Sequence, residues 1–141
     1  MRFGNEHAAV NLVEQVFVFS MGLLILLAVY VTFEQVERGF EQSRRIADSD
    51  EIAAHIALGI ADLHLIASVG NNASVSRTVK FAKLDKIYPI ELSGDHVFVE
   101  SDMTTAERRI PVSVNSSGKA YSDRRLVISH SSEGRVILET G

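Results

Sequence analysis

Residues 16–33 read VFVFSMGLLILLAVYVTF, and the rest of the chain is organised around them. The stretch has about 18 residues and no formal charge, which is the length and composition of a helix that crosses a bilayer. A helix that is apolar on every face must be buried in lipid, in a large core or against other subunits. Because a chain of 141 residues forms only a small core, the sequence favours lipid or neighbouring subunits. The alternative is a central core helix of a soluble domain.

The composition excludes several classes of function. The net charge is −4 with both signs interspersed, and there is no block of basic residues, so we expect no nucleic-acid partner. Cysteine is absent, which removes disulfides, thiol catalysis and cysteine-bound metal. His55 and His64 do not share a helix face at metal-ligand spacing, and no phosphate-binding loop or nucleophile elbow occurs. We therefore predict no enzymatic activity, no cofactor and no metal site.

A short polar leader, residues 1–9, precedes the apolar run. A secretory signal peptide has a shorter apolar core, followed by a cleavage site with small residues. Here the small residues Gly4, Ala8 and Ala9 lie before the run. This order is expected when a peptidase removes the leader in the region of these residues and leaves the apolar helix on the mature protein.

Residues 9–20, AVNLVEQVFVFS, resemble the start of archaeal type IV pilin-like proteins with a class III signal sequence. The resemblance covers the first third of the chain. If the mature chain began at Val10, Glu14 would be its fifth residue, where many type IV pilins carry a glutamate. The resemblance then implies that Glu14 meets the terminal ammonium of a neighbouring subunit. A cut after Gly4 would put Ala9 in that place, and Glu14 could also lie at the membrane interface without a partner.

The resemblance also implies partners and assembly residues. The expected partners are membrane lipid, copies of this chain or other pilin-like subunits, and a prepilin peptidase if the leader is cleaved. Apolar side chains of the helix would supply the assembly energy, and the glutamate would set the register. The assembly residues are Glu14, Val16, Phe17, Phe19, Leu23, Leu24 and Leu27.

Residues 34–70 contain charged side chains again after the uncharged run, and their pattern predicts a helical stalk. Phe33, Val36 and Phe40 repeat at three- and four-residue spacing, as on one face of a helix. A second stripe, expected to pack on the carboxyl-terminal sheet, comprises Ile52, Ile56, Ile60 and Leu63. Asp48 either caps a second helix or lies on the solvent face of one unbroken helix. The sequence Gly-Asn-Asn at 70–72 is expected to end the helix.

Residues 71–141 predict a β-rich head, because the hydrophobic period changes from helical to two. Strands are predicted around 75–82, 88–92, 96–100, 110–114, 126–129 and 135–139, with turns at 93–95, 115–118 and 132–134. The predicted fold class is α+β, a long amino-terminal helix followed by a small antiparallel β-sheet or β-sandwich. The predicted divisions are a leader (1–9), an apolar assembly helix (10–33), a stalk (34–70) and the head.

Two N-x-S triplets, at Asn72 and Asn115, fall in predicted loops and are candidate glycan acceptors in an exported head. The leading hypothesis is a pilin-like structural subunit, major or minor, of an archaeal cell-surface filament. The alternative is a single-span membrane-anchored β-domain that serves the cell envelope without polymerising. An external head, on the membrane or in an extracellular filament, is expected from the resemblance and the triplets. The arginines after the apolar run, Arg38, Arg44 and Arg45, do not favour that orientation.

Overall fold

The chain folds as one long helix followed by seven strands, in a computed structural model that describes residues 4–70, 73–81, 84 and 86–141. Helix α1 spans Gly4–Val69. The strands are β1 Val75–Val79, β2 Pro89–Gly94, β3 His96–Glu100, β4 Thr105–Arg109, β5 Asn115–Tyr121, β6 Leu126–His130 and β7 Arg135–Thr140. The predicted α+β class is confirmed. The chain divides into two compact units, residues 1–41 and residues 42–141.

Helix α1 runs without a break through residues 48–51. Asp48 therefore does not cap a second helix, and the unbroken helix is the observed one. Asp48 is nevertheless half-buried rather than on the solvent face, with the Tyr88 hydroxyl 3.5 Å from its carboxylate. The helix ends at the predicted place, where the Gly70 N–H donates to the Ile66 carbonyl at 3.1 Å. Glycine is common just past a helix end because it has no Cβ to obstruct the turn of the chain.

The strands form a single seven-stranded sheet in the order β1-β6-β7-β5-β2-β3-β4. All neighbours pair antiparallel except β5 and β7, which run parallel. Buried and exposed residues alternate along β2, β3, β6 and β7, so one face of the sheet is covered and the other faces solvent. Of the two predicted arrangements, a β-sheet and a β-sandwich, the described strands form the sheet.

The core lies between the covered face of the sheet and the second part of α1. The predicted stripe Ile52, Ile56, Ile60 and Leu63 is buried and belongs to this core, as expected. From the sheet come Ile90, Leu92, Val97, Val99, Leu126, Ile128, Val136 and Leu138. Burying each such side chain stabilises the fold by about 1.5–3 kcal/mol. This packing fixes residues 42–141 as one unit.

The prediction of a strand at 110–114 is wrong. These residues connect β4 to β5, and the predicted turn at 115–118 is instead the start of β5. Pro111 lacks the N–H that a ladder requires, while Ile110 and Val114 are buried as anchors of the connection. The segment 115–118 is read as a turn in the sequence because it is rich in serine and glycine. In the fold, the Ser116 hydroxyl is buried and donates to the Gly94 carbonyl at 2.7 Å.

Ion pairs link the helix to the sheet within residues 42–141. Arg108 binds Asp50 through two nitrogens, at 3.0 and 2.6 Å, and this hydrogen bonding holds the pKa of Asp50 below its usual range. Asp102 accepts from Lys86 and, at 3.4 Å, from Arg45. The hydrogen bond from Lys86 is the main reason that the pKa of Asp102 is lowered. These pairs position α1 along the sheet, although exposed pairs add little stability.

Candidate functional site: an exposed apolar helix surface

The first part of α1 exposes an unbroken apolar surface. None of its most apolar 18-residue stretch is buried. Side chains that a soluble protein would cover are exposed there, including Phe19 (70%), Leu24 (63%) and Tyr30 (69%). Covering the apolar side chains between Leu12 and Phe33 would release on the order of tens of kcal/mol, since each contributes a few. The described structure therefore contains one helix long and apolar enough to cross a membrane.

The predicted assembly residues lie on this surface, except Glu14, which lies just before it. Each of them is exposed: Glu14, Val16, Phe17, Phe19, Leu23, Leu24 and Leu27. With 3.6 residues per turn, Val16, Leu23 and Leu27 fall on one helix face, and Phe17 lies on the face beside it. Because the apolar surface extends around the helix, several neighbours or a surrounding lipid phase could cover it.

Polar groups within the apolar stretch are satisfied by the helix itself. The Ser20 hydroxyl donates to the Val16 carbonyl at 2.7 Å, and the Thr32 hydroxyl donates to the Ala28 carbonyl at 2.8 Å. Such back-bonding allows a hydroxyl to enter hydrocarbon without leaving its proton unpaired. The helix backbone is likewise bonded internally, which is the requirement for any segment that leaves water.

Charges mark both ends of the apolar stretch. Glu14 precedes it, and beyond Phe33 the Glu34 carboxylate pairs with Arg38 at 2.5 Å, one helical turn further on. Residues 16–33 span about 27 Å at 1.5 Å per residue, close to the roughly 30 Å hydrocarbon core of a bilayer. A carboxylate two residues before such a stretch lies at the level of the headgroups if the helix spans the membrane.

The residues predicted for leader cleavage lie in the helix, and one of the two candidate glycan acceptors lies in a strand. Gly4, Ala8 and Ala9 belong to α1. Asn72 lies outside the described residues. Asn115 is the first residue of β5 rather than a loop residue, and it is exposed. Its side chain is therefore accessible, but the extended backbone differs from the loop that the sequence predicts.

Two histidines that are far apart in the sequence meet in the fold. His64 Nδ1 and His130 Nε2 are 3.3 Å apart. His130 is buried, and its Nδ1 has no hydrogen-bond partner among the described residues. Burial, reinforced by repulsion from His64, lowers the pKa of His130. The described part of the chain holds no cluster of three or more His, Cys, Asp or Glu side chains that could bind a metal ion.

A second titratable group lies at the β2–β3 turn. The Asp95 carboxylate contacts His96 Nδ1 at 2.7 Å and Arg109 Nε at 2.9 Å. The hydrogen bond from Arg109 is the main cause of the lowered pKa of Asp95. Gly94 before it has φ = 63°, the left-handed conformation that a tight turn requires. These contacts close the turn against β4.

Sequence reasoning missed the histidine contact because it depends on where β6 lies relative to α1. No sequence signal connects His64 with His130, which are brought together only by helix-on-sheet packing. Comparisons with family models, curated proteins and solved structures found no match to this chain. Its fold and exposed surfaces are therefore the basis for any functional conclusion.

Proposed function

We propose that this protein is a pilin-like structural subunit of an archaeal cell-surface filament. The observation that carries the proposal is the exposed apolar surface of α1 between Val16 and Phe33. Before assembly this helix lies in the membrane. In the filament, the same side chains pack against those of neighbouring copies, and contacts between helices replace contacts with lipid.

The head fits a display role. Residues 42–141, the head together with the helix segment that packs on it, have their own core of helix and sheet, so this unit remains folded whether the apolar helix is in lipid or in a filament. The solvent-facing side of the sheet carries polar and charged residues such as Glu91 and Lys119, which pair at 2.9 Å. A surface of this kind suits contact with water and with other envelope components.

The experiment is to isolate the protein from its native membranes and measure its mass and amino-terminal sequence. A mature chain beginning between Asn5 and Val10, present in purified filaments, is the expected result. An intact leader on a membrane-bound protein that forms no filaments would favour the single-span anchor instead. Recovery as a water-soluble monomer without detergent would overturn both.

Glu14 allows a sharper test of assembly. Glu14→Ala is expected to lower the filament yield while leaving the protein in the membrane, because the carboxylate acts between subunits. Glu133→Ala, an exposed position in the β6–β7 turn, is the matched control and should assemble normally. Equal filament yields from the two variants would exclude the proposed role of Glu14.

A further inference from the structure

The solvent-facing side of the sheet contains an open groove that crosses β5, β2 and β3 and reaches the edge strand β4. Its volume is about 520 Å³. The outward-pointing side chains that line it include Pro89, Glu91, Phe98, Glu100, Lys119 and Tyr121. All of these residues belong to the compact unit 42–141. The groove therefore shares no residue with the apolar helix surface on which the proposed function depends.

Two aromatic rings border the groove. Tyr121 on β5 lies opposite Pro89 on β2, and Phe98 on β3 lies opposite Glu91 on β2. The two rings are therefore on strands about 10 Å apart. Tyr121 is 51% exposed. Tyrosine is enriched at protein interfaces because its ring supplies apolar contact and its hydroxyl a hydrogen bond, so this exposed ring is available to a partner.

Carboxylates outnumber the single ammonium group of the groove. Glu91 pairs with Lys119 at 2.9 Å. Glu100 is exposed and forms no ion pair among the described residues. Glu107 on β4 adds a third carboxylate at the edge of the groove, 3.5 Å from His96. Carboxylates beside exposed aromatic rings form a surface that attracts an ammonium or guanidinium group.

Lys119 shows that the groove stabilises a positive charge. Its pKa is raised, chiefly by the hydrogen bond and the charge of Glu91, with smaller contributions from Glu100 and Tyr121. Groups from three strands thus act on one ammonium. The Lys119 side chain is 75% exposed, and exposed ion pairs are weak because solvent screens them. A cation from a partner can therefore replace Lys119 at Glu91.

The shape and charge of the groove select the kind of partner. A small-molecule site encloses most of the surface of its ligand, whereas this groove is open to solvent. Alternate side chains of an extended protein segment are about 7 Å apart, so two basic side chains of one segment can reach both aromatic rings. A neutral saccharide would leave the carboxylates without a countercharge, and an acidic segment would be repelled by them.

We propose that this groove binds an extended basic segment of another protein, with an arginine or lysine side chain over the Tyr121 ring and paired with Glu100. A second basic side chain takes the place of Lys119 at Glu91. The groove belongs to the head, so this binding applies to a filament subunit and to a single-span anchor alike.

Isothermal titration calorimetry on the full-length protein in phosphatidylcholine nanodiscs tests this binding, with empty nanodiscs as the background. The probes are the capped peptides GRGRG and GEGEG and the neutral sugar maltopentaose. We expect GRGRG to bind, more weakly as the salt concentration rises, and the other two probes not to bind. Absence of GRGRG binding, or stronger binding of either other probe, would overturn the proposal. A chain that is soluble without lipid is titrated directly, so failure of the proposed function leaves this test intact.

Substitutions in the groove locate the binding. Glu100→Gln and Tyr121→Ala should each weaken GRGRG binding about fivefold, the loss expected for one charge pair or one cation–π contact. Glu133→Gln, exposed in the β6–β7 turn, removes the same charge outside the groove and should bind as the native chain does. Lys119→Met should strengthen binding about threefold, because it removes the competing ammonium. Weaker binding by Lys119→Met, or equal binding by Glu100→Gln and Glu133→Gln, would refute the proposed site.

Discussion

His64 on α1 and His130 at the end of β6 approach to 3.3 Å between Nδ1 and Nε2, within the unit formed by residues 42–141. The buried Nδ1 of His130 has no hydrogen-bond partner among the described residues. In the tautomer that fits this contact, His130 carries its proton on Nε2, and this N–H donates to His64 Nδ1. The unpartnered Nδ1 of His130 then holds a lone pair and not an N–H. A proton added to His130 would then be buried beside a second imidazole.

This arrangement predicts that the head loses stability in mild acid. The pKa of His130 is lowered from its ordinary value of 6.5, so the unfolded chain binds the proton more tightly than the folded one. The free energy of unfolding should therefore be highest above pH 6.5 and fall as the pH drops below it. Urea titrations between about pH 7 and pH 5 measure this change.

His130→Leu should flatten the pH dependence in that window, whereas His55→Gln, on the exposed part of the helix, should retain it. An unchanged slope in His130→Leu would contradict the assignment.

The carboxylates Asp50, Asp95 and Asp102 affect stability at lower pH. Their pKa values are lowered from 3.8, so their contribution is present above that pH and is lost as the pH falls through the folded values.

Ile60→Ala should destabilise the head by about 2–5 kcal/mol, because Ile60 is fully buried between helix and sheet and its removal leaves a cavity. Leu58→Ala, two residues earlier on the exposed side, is the matched control and should change the free energy of unfolding by less than about 0.5 kcal/mol. Denaturant unfolding of the two variants separates them. Similar losses would mean that the helix faces are assigned incorrectly.

Gly118→Ala should destabilise the parallel pairing of β5 with β7. Gly118 has φ = 139°, and a Cβ there would lie 2.3 Å from the Leu138 carbonyl oxygen. We expect a loss of about 2–4 kcal/mol, from backbone strain and the forced separation of the strands. Thermal unfolding measures it.

Gly94→Ala is the control for that substitution. Gly94 also has a positive φ, but nothing lies within 4 Å of its would-be Cβ. Its cost should be limited to the left-handed backbone, about 1–2 kcal/mol. A Gly118→Ala variant no less stable than Gly94→Ala would argue against the close contact with β7.

Leu24→Arg combined with Leu27→Arg should move the chain out of the membrane fraction. Two arginines at the centre of a spanning helix cost about 5–7 kcal/mol of insertion free energy. Leu58→Arg combined with Leu65→Arg adds the same charge within residues 42–69 and should leave insertion unchanged. Carbonate extraction of membranes measures the difference. Equal extraction of the two double variants would contradict membrane anchoring through residues 16–33.

Much of the fold could be predicted from local pattern. The stripe from Ile52 to Leu63 predicts its own burial, and Gly94 and Gly134 mark turns that the structure contains. The prediction of a strand at 110–114 failed because the alternating apolar residues there include two buried anchors of a connection, Ile110 and Val114, and not a strand paired with a neighbour. β5 was missed because its buried positions are serine and alanine, which carry no hydrophobic signal.

The sequence by itself determined that residues 16–33 cannot remain in water, because the absence of charge over that length is a local property of composition. It also determined the helical period of the stalk and the two-residue period of most strands. Only the tertiary structure decided the strand order, the parallel pairing of β5 with β7 and the contact of His64 with His130. These features depend on which distant segments share one core. The local sequence pattern around a residue predicts that its side chain is buried, but not which side chains it is buried against.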